Sequence, residues 1–264
     1  LNKKIGSSSF KRCFGNKSKL GSRPIHKKDF FEKFWETPLD DKKGLTVVEI
    51  MDAIHENTIK GMYILGENPA MSDPDLNHAR EALQMLEHLV VQDIFLTETA
   101  TYADVIFPAS AWPEKNGTAT NTNRQVQMGR KAIDAPGAAK EDWWITNELG
   151  KRMGLAWKYE HPSEIYEEMS KTMPSLNNIT WDRLENENSV TYPSRSPTTP
   201  GDEIVFGDKF PNETGRGKFV PASVTSPNEV PDEEFQMILT TGRQLEHWHT
   251  GAMTRKASNL DAIE

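Results

Sequence analysis

Cysteine is almost absent from this chain: Cys13 stands alone among 264 residues. One thiol cannot close an internal disulfide, and by itself it cannot build a multi-cysteine zinc or iron–sulfur site. Long apolar runs are missing too, and nothing approaches the roughly 20 residues needed to cross a bilayer. No membrane span is therefore expected. The first residues lack the basic, apolar and small-residue succession of a secretory signal, so the expected location is cytoplasmic. A G-x-G-x-x-G turn is missing as well, which argues against an ordinary nicotinamide dinucleotide site. Positive charge is outweighed, with 31 Lys and Arg against 39 Asp and Glu and a formal net charge of -8. That balance removes the overall electrostatic case for nucleic acid or an anionic membrane surface as partner.

What is present is enough chain for a sizeable core. Residues 1–43 open basic and rich in Ser, Gly and Lys, and read as irregular or flexible, with Phe30, Phe31, Phe34 and Trp35 starting a short helix. Thr46 to Glu49 (TVVE) fits a capping box, and Val47, Ile50, Met51 and Ile54 recur at helical spacing. GMYIL at 61–65 reads as a buried strand ended by Gly66 and the turn formers Glu67, Asn68 and Pro69. Pro74 predicts a helix start, with Leu76, Ala79, Leu83 and Leu86 on one apolar face. LVVQ at 89–92 is the next strand, residues 97–103 a short helical stretch, and DVIF at 104–107 a third strand stopped by Pro108.

Strand, helix, strand, helix, strand predicts an α/β fold with a parallel, Rossmann-like sheet and flanking helices. After a polar loop rich in Asn and Thr, Asp142 caps a helix with Trp144, Ile145, Leu149 and Met153 facing inward, ended by Gly154. A further helix covers 163–171. The domain plan is then an α/β unit at 44–172 and a connector at 173–234 rich in Pro, Asn, Ser and Asp, with β-like bits such as 203–206. At 235–264 a mostly β domain begins with a strand at 236–240 and is cut short.

Ligands of an open parallel sheet bind beyond the carboxyl ends of its strands. Those ends carry Gly66, Glu67 and Asn68, then Gln92 and Asp93, then the loop from Pro108 to Lys115. Asp93 suits a ribose hydroxyl or the N–H edge of guanine, and equally suits capping of the turn that holds Thr97. Lys115 and Arg124 suit phosphates, or simply a solvated loop. The densest cluster is Thr241, Gly242, Arg243, Gln244, Leu245, Glu246, His247, Trp248, His249 and Thr250. Anion or heterocycle binding ranks there above metal, because His247 and His249 have no third ligand at a recognisable spacing. The alternative is a hydrogen-bonded loop with Trp248 packed under it.

GLTVVEIMDAI, KGMYILGENPAMSDPD, LVVQDIFLTETATYADVIFPASAWPEKNGTATNTNRQVQ, KEDWW and TGRQLEHWHTGAMTR run from Gly44 to about Arg255. In these segments the chain resembles the large (alpha) subunit of molybdopterin-dependent formate dehydrogenases, within the prokaryotic molybdopterin oxidoreductase family, with periplasmic-type nitrate reductases as near relatives. The resemblance implies an internal fragment of a subunit that oxidises formate to CO2 with bis(molybdopterin guanine dinucleotide) carrying molybdenum or tungsten. By the same likeness Asn68 and its neighbours, Gln92, Asp93, Thr97, Lys115 and Asp142 surround one guanine dinucleotide, while the turn from Thr241 to Thr250 contacts pterin at the start of a dinucleotide-binding β-barrel domain. No catalytic residue and no metal ligand is expected in this chain. The metal-ligating cysteine or selenocysteine, its His and Arg partners and the 4Fe-4S cluster are expected in the full subunit, and the chain alone is expected to be inactive. Expected partners are iron–sulfur and flavin/NAD-binding subunits, with NAD as final acceptor. The alternatives are a nitrate reductase-like enzyme or a non-catalytic scaffold subunit of an NADH dehydrogenase.

Overall fold

A computed structural model describes residues 27–40, 42–227, 229–240 and 242–263. The aromatic-rich segment forms α1 (Lys27–Phe34), and the following Trp35 donates its indole N–H to Glu168 at 2.8 Å. In α2 (Val47–His55) the expected capping box closes: Thr46 Oγ1 accepts from the Glu49 amide at 3.3 Å, and the Glu49 carboxylate accepts from the Thr46 amide at 2.5 Å.

Three parallel strands follow in the order β1 (Gly61–Leu65), β2 (His88–Asp93) and β3 (Val105–Pro108). Their register puts Ile64, Val91 and Ile106 on one row and Leu65, Gln92 and Phe107 on the next, so these rows face opposite sides. The first side buries Ile64, Leu89 and Val91 against Ala70 of α3 (Pro69–Ser72), Leu83 of α4 (Leu76–Met85) and Ala100 of a 3-10 turn at Thr99–Tyr102. Behind it α2 packs on α4 through Met51, Ile54, Ala79 and Ala82. The parallel α/β sheet is thus the one expected.

Two local expectations are corrected. Pro74 does not start a helix; Asp75 caps α4 by accepting from the His78 amide at 3.2 Å, and Pro69 instead opens the one-turn α3. A carboxylate satisfying an orphan amide outweighs a proline that only pre-sets φ. Strand β1 is half-buried rather than buried, with Tyr63 and Leu65 at 41% and 46% exposure, because it is a sheet edge.

The expected polar loop after β3 is instead a hairpin, β4 (Gly117–Thr120) with β5 (Gln125–Gly129), and β6 (Ser189–Thr191) pairs on β5. Polar residues hide the alternation, but Thr suits a strand and Val126 is buried. A second core gathers Val126, Val190, Tyr166 of α6 (Pro162–Thr172), Leu176, Ile179, and Trp181 and Leu184 of α7 (Trp181–Glu187). Much of it comes from residues 174–191, inside the stretch expected as connector. Arg183 of α7 reaches back to carbonyls of 178, 196 and 199.

In α5 (Asp142–Arg152) the buried residues are Ile145, Asn147 and Gly150, whereas Trp144 and Met153 are 41% and 43% exposed. The inward face is set by the returning chain: Asn147 donates to the Tyr159 carbonyl at 2.9 Å, and a Cβ on Gly150 would stand 2.2 Å from the Trp157 ring. Ala for Gly inside a helix ordinarily gains about 1 kcal/mol. Here Gly150→Ala should lose about 1 kcal/mol net in urea unfolding, since overpacking costs about 1–3 kcal/mol. Adding Trp157→Ala should recover the helical gain; a stabilised single variant would contradict this packing.

Residues 203–206 and 236–240 form no strand among the described residues, contrary to expectation; Met237, Ile238 and Leu239 are 90%, 73% and 92% exposed. A strand needs a neighbouring ladder for its backbone groups, and no described strand pairs with either run. A 3-10 turn (Thr254–Lys256) and α8 (Ser258–Asp261) close the described chain.

Candidate cofactor site

Gln92, the penultimate residue of β2, is fully buried, and its amide is held from both sides. Tyr63 donates its hydroxyl to Gln92 Oε1, and Gln92 Nε2 donates to Asp142 Oδ1 at 2.7 Å. Asp142, the first residue of α5, accepts from Lys115 Nζ through its other oxygen, and Lys115 also donates to the Ser110 carbonyl at 3.0 Å. Burial first, and Asp142 second, push the Tyr63 hydroxyl up to about 12, so it remains a donor at neutral pH.

Asp93 follows Gln92. Its Oδ1 accepts from the Ile94 and Phe95 amides at 2.7 and 3.3 Å, so it caps its own turn rather than the one holding Thr97. Burial raises its carboxyl above the ordinary range, opposed by those amides and assisted by Asp142. No donor among the described residues bonds Oδ2. A cleft of about 180 Å³ opens beside Lys115 and Asp142, walled by Trp112, Trp143, Asn116 and Thr118. The buried Ser110 hydroxyl oxygen nearby in sequence has no partner among the described residues.

A second cluster sits on the loops after β1 and β2. Buried Asn68 accepts through Oδ1 from the Thr99 amide and hydroxyl at 3.1 and 2.7 Å, and its Nδ2 donates to Glu98 at 2.8 Å. Thr97 is buried and accepts from the Ala100 amide at 3.2 Å. Gly66 holds φ +63, a conformation glycine adopts freely, and donates to the Gln92 carbonyl at 2.9 Å. Glu67 is exposed.

Glu98 escaped the sequence reading, which has no signal for an acid between two threonines. It accepts from Lys256 Nζ at 2.8 Å as well as from Asn68. The Lys256 bond first, and then Asn68, hold its carboxyl at about 2, down from 4.5. A depressed carboxylate adds stability that is complete above its unfolded value and lost as pH falls towards the folded one. The acid limb of the stability curve between about pH 5 and pH 2 should therefore flatten in Glu98→Gln, an effect read by urea midpoints across that window.

The C-terminal turn is disposed differently. Thr241 lies outside the described residues. Gly242, Arg243, Gln244, Leu245, Glu246, Trp248, His249 and Thr250 are exposed, while His247 is 7% exposed. His247 Nδ1 lies 2.9 Å from Thr254 Oγ1, and Nε2 lies 3.3 Å from the Ile263 carbonyl. A carbonyl only accepts, so Nε2 carries a proton, and both nitrogens are committed to the turn. Trp248 is not packed under the loop: it is 65% exposed, edge-on to His249 at 4.7 Å. Gln92, Asp93, Lys115 and Asp142 are therefore brought together, with Asn68 and Thr97 on the adjoining loops. No hydrogen bond or ion pair among the described residues joins Arg243–His249 to Asp93 or Lys115.

The molybdopterin oxidoreductase family matches residues 16–152, just over half of the chain. This chain belongs to that family. As a molybdopterin oxidoreductase it is 46% identical over 232 residues to the F420-dependent formate dehydrogenase subunit alpha of Methanocaldococcus jannaschii, covering 87% of the chain and 34% of the relative. It is 43% identical to the F420-dependent formate dehydrogenase 2 subunit alpha of Methanococcus maripaludis, again over 34% of that protein. A putative formate dehydrogenase of Bacillus subtilis is 39% identical, with 88% of this chain and 23% of the relative covered. The chain thus spans between 23% and 34% of the length of these curated relatives. Among solved structures, acetylene hydratase from Pelobacter acetylenicus aligns at TM-score 0.49 and 20% identity, over 73% of this chain and 27% of that one. No described helix is long and apolar enough to cross a membrane.

Proposed function

We propose that this chain is part of the catalytic subunit of a molybdopterin enzyme that oxidises formate to CO2, and that it supplies one wall of the pocket for the pterin guanine dinucleotide. The observation that carries this reading is the Gln92–Asp142–Lys115 array beside Asp93 at the carboxyl end of a parallel sheet, in a family whose similar members are named formate dehydrogenases.

The residues suit such a group. Asp93 is partly desolvated yet has an oxygen that no described donor bonds, a fit for ribose hydroxyls or the N–H edge of a purine. Lys115 brings positive charge to the edge of a cleft for phosphate. Tyr63, Gln92 and Asp142 fix the orientation of the array so that little reorganisation accompanies binding. When bound, the metal–pterin group supplies the two-electron redox chemistry; this chain binds and orients it. The exposed turn with Arg243, Gln244 and His249 is proposed to meet the pterin. The expected nicotinamide acceptor has no support in the relatives' names, two of which specify F420; we propose an acceptor of either kind, reduced through partner subunits.

The test uses the full-length subunit with its partners. Formate-dependent dye reduction, molybdenum or tungsten by elemental analysis and GMP released by acid should all be found, and a loaded preparation inert to formate would end the reading. Supplying F420 or NAD then identifies the acceptor. Asp93→Ala should weaken cofactor retention by about 2 kcal/mol, roughly thirtyfold, through loss of a charge-assisted acceptor. Unchanged GMP content under limiting cofactor supply would exclude Asp93 from the pocket.

A further inference from the structure

Among the described residues, one side-chain hydrogen bond and ion pair joins residues 242–263 to the rest of the chain. Inside the segment the Lys256 ammonium is carried on the 3-10 turn Thr254–Lys256, and Thr254 Oγ1 bonds His247 Nδ1 at 2.9 Å within the arginine- and histidine-rich turn. Outward, Lys256 Nζ bonds Glu98 Oε1 at 2.8 Å, and among the described residues no other hydrogen bond or ion pair leaves the segment. Glu98 Oε2 accepts from Asn68 Nδ2 at 2.8 Å, and Asn68 is locked by Thr99 on the rim. One carboxylate therefore faces both halves of the proposed pocket.

We propose that Glu98 is a positioning residue that sets the distance between the nucleotide rim and the Arg243–His249 turn, by bridging Asn68 to Lys256. The role rests on the function proposed above. Glu98 gives one oxygen to each side, Oε2 to Asn68 and Oε1 to Lys256. A neutral acceptor would still serve Asn68, but only an anion matches the ammonium, so an acid at this position suits the two demands together.

The test separates the bridge from the chemistry. In the 264-residue chain, with Cys13→Ser, nitroxides on Glu67→Cys and Leu245→Cys should report a narrow distance distribution. Lys256→Glu, which faces Glu98 with like charge and leaves Asn68 untouched, should broaden it, and Lys256→Arg should not. The combination Glu98→Gln/Lys256→Glu should narrow it again, because the new amide can accept from Asn68 and donate to the new carboxylate. In the full-length subunit, Lys256→Glu should lower formate-dependent dye reduction about tenfold, and the combination should return it to within about threefold of the parent. A distribution already broad in the parent, one unmoved by Lys256→Glu, or failure of the combination to restore it would overturn the proposal. If the parent subunit oxidises no formate, the proposed function falls and the label distances still decide the bridge.

Discussion

Arg183→Ala should be the most damaging single change in the described chain, lowering unfolding free energy by about 3–5 kcal/mol. The guanidinium is 7% exposed as a side chain and is the centre around which residues 178–199 fold back. Its Nε donates to Glu187 at 2.8 Å; its two amino groups donate to the carbonyls of Asn178, Ser196 and Thr199 at 2.9, 3.2 and 2.8 Å and to Ser194 Oγ at 2.9 Å. Alanine would leave the Asn178 carbonyl without its donor and the Ser196 and Thr199 carbonyls with hydroxyl donors only, at about 1–3 kcal/mol for an acceptor left unsatisfied, and would remove a buried side chain from the centre of the fold-back. Glu187 is 47% exposed and can return to water, which keeps the total below the sum. Lysine rescues little, because an ammonium is a compact point charge that cannot span a fork of acceptors in several directions. Urea unfolding at neutral pH reads the loss, and a change under 1.5 kcal/mol would show that the 194–199 loop does not depend on Arg183.

Asp142→Ala should cost about 3 kcal/mol, and under the proposed function it should also empty the cofactor pocket. The carboxylate is the acceptor for two groups, Gln92 Nε2 and Lys115 Nζ. Gln92 is 0% exposed, so its Nε2 cannot turn to water once Oδ1 is gone. Lys115 is 20% exposed and would keep only the Ser110 carbonyl. A partly buried pair broken on one side loses less than the 3–5 kcal/mol of a fully buried one, while the unpaired amide adds about 1–3 kcal/mol. Asp142→Asn separates the contributions, because its carbonyl can still accept from Gln92 while the charge facing Lys115 is lost. It should retain more than half of the stability lost by alanine yet still reduce GMP content. Equal losses for both variants would mean that the ion pair alone matters.

The parallel sheet was legible because its signals agree: apolar runs at 61–65 and 89–92, a capping box at Thr46 and turn formers after Gly66 all point to alternating strand and helix. The second core was not. Its strands read GTAT and QVQMG, and Leu176, Ile179, Trp181 and Leu184 lie singly among Pro, Asn and Asp, so that only tertiary contact reveals the common face. The edge exposure of Tyr63 and Leu65 depends on strand order, which a run of apolar letters does not carry. In the candidate site, Gln92, Asp93 and Lys115 were readable because strand ends converge in this topology, whereas Asp142, at a helix start, was placed beside them only by the family resemblance. The partners of His247 were not readable: both ring nitrogens are engaged within the turn, by Thr254 and Ile263. Glu98 had no local signature, since its partners lie 30 and 158 residues away.

The array at Gln92 has a direction. Tyr63 gives a proton-bearing bond to the amide oxygen and the amide nitrogen gives one to Asp142, so polarity runs from the phenol to the acid and cannot be reversed without stranding one end. The amide is thereby committed as an intermediary, and its neighbour on β2, Asp93, keeps an oxygen that no described donor bonds. Under the proposed function, a base meeting that rim would have to present hydrogens first, which guanine does along N1 and its exocyclic amine, and which adenine, with a bare N1, does only in part.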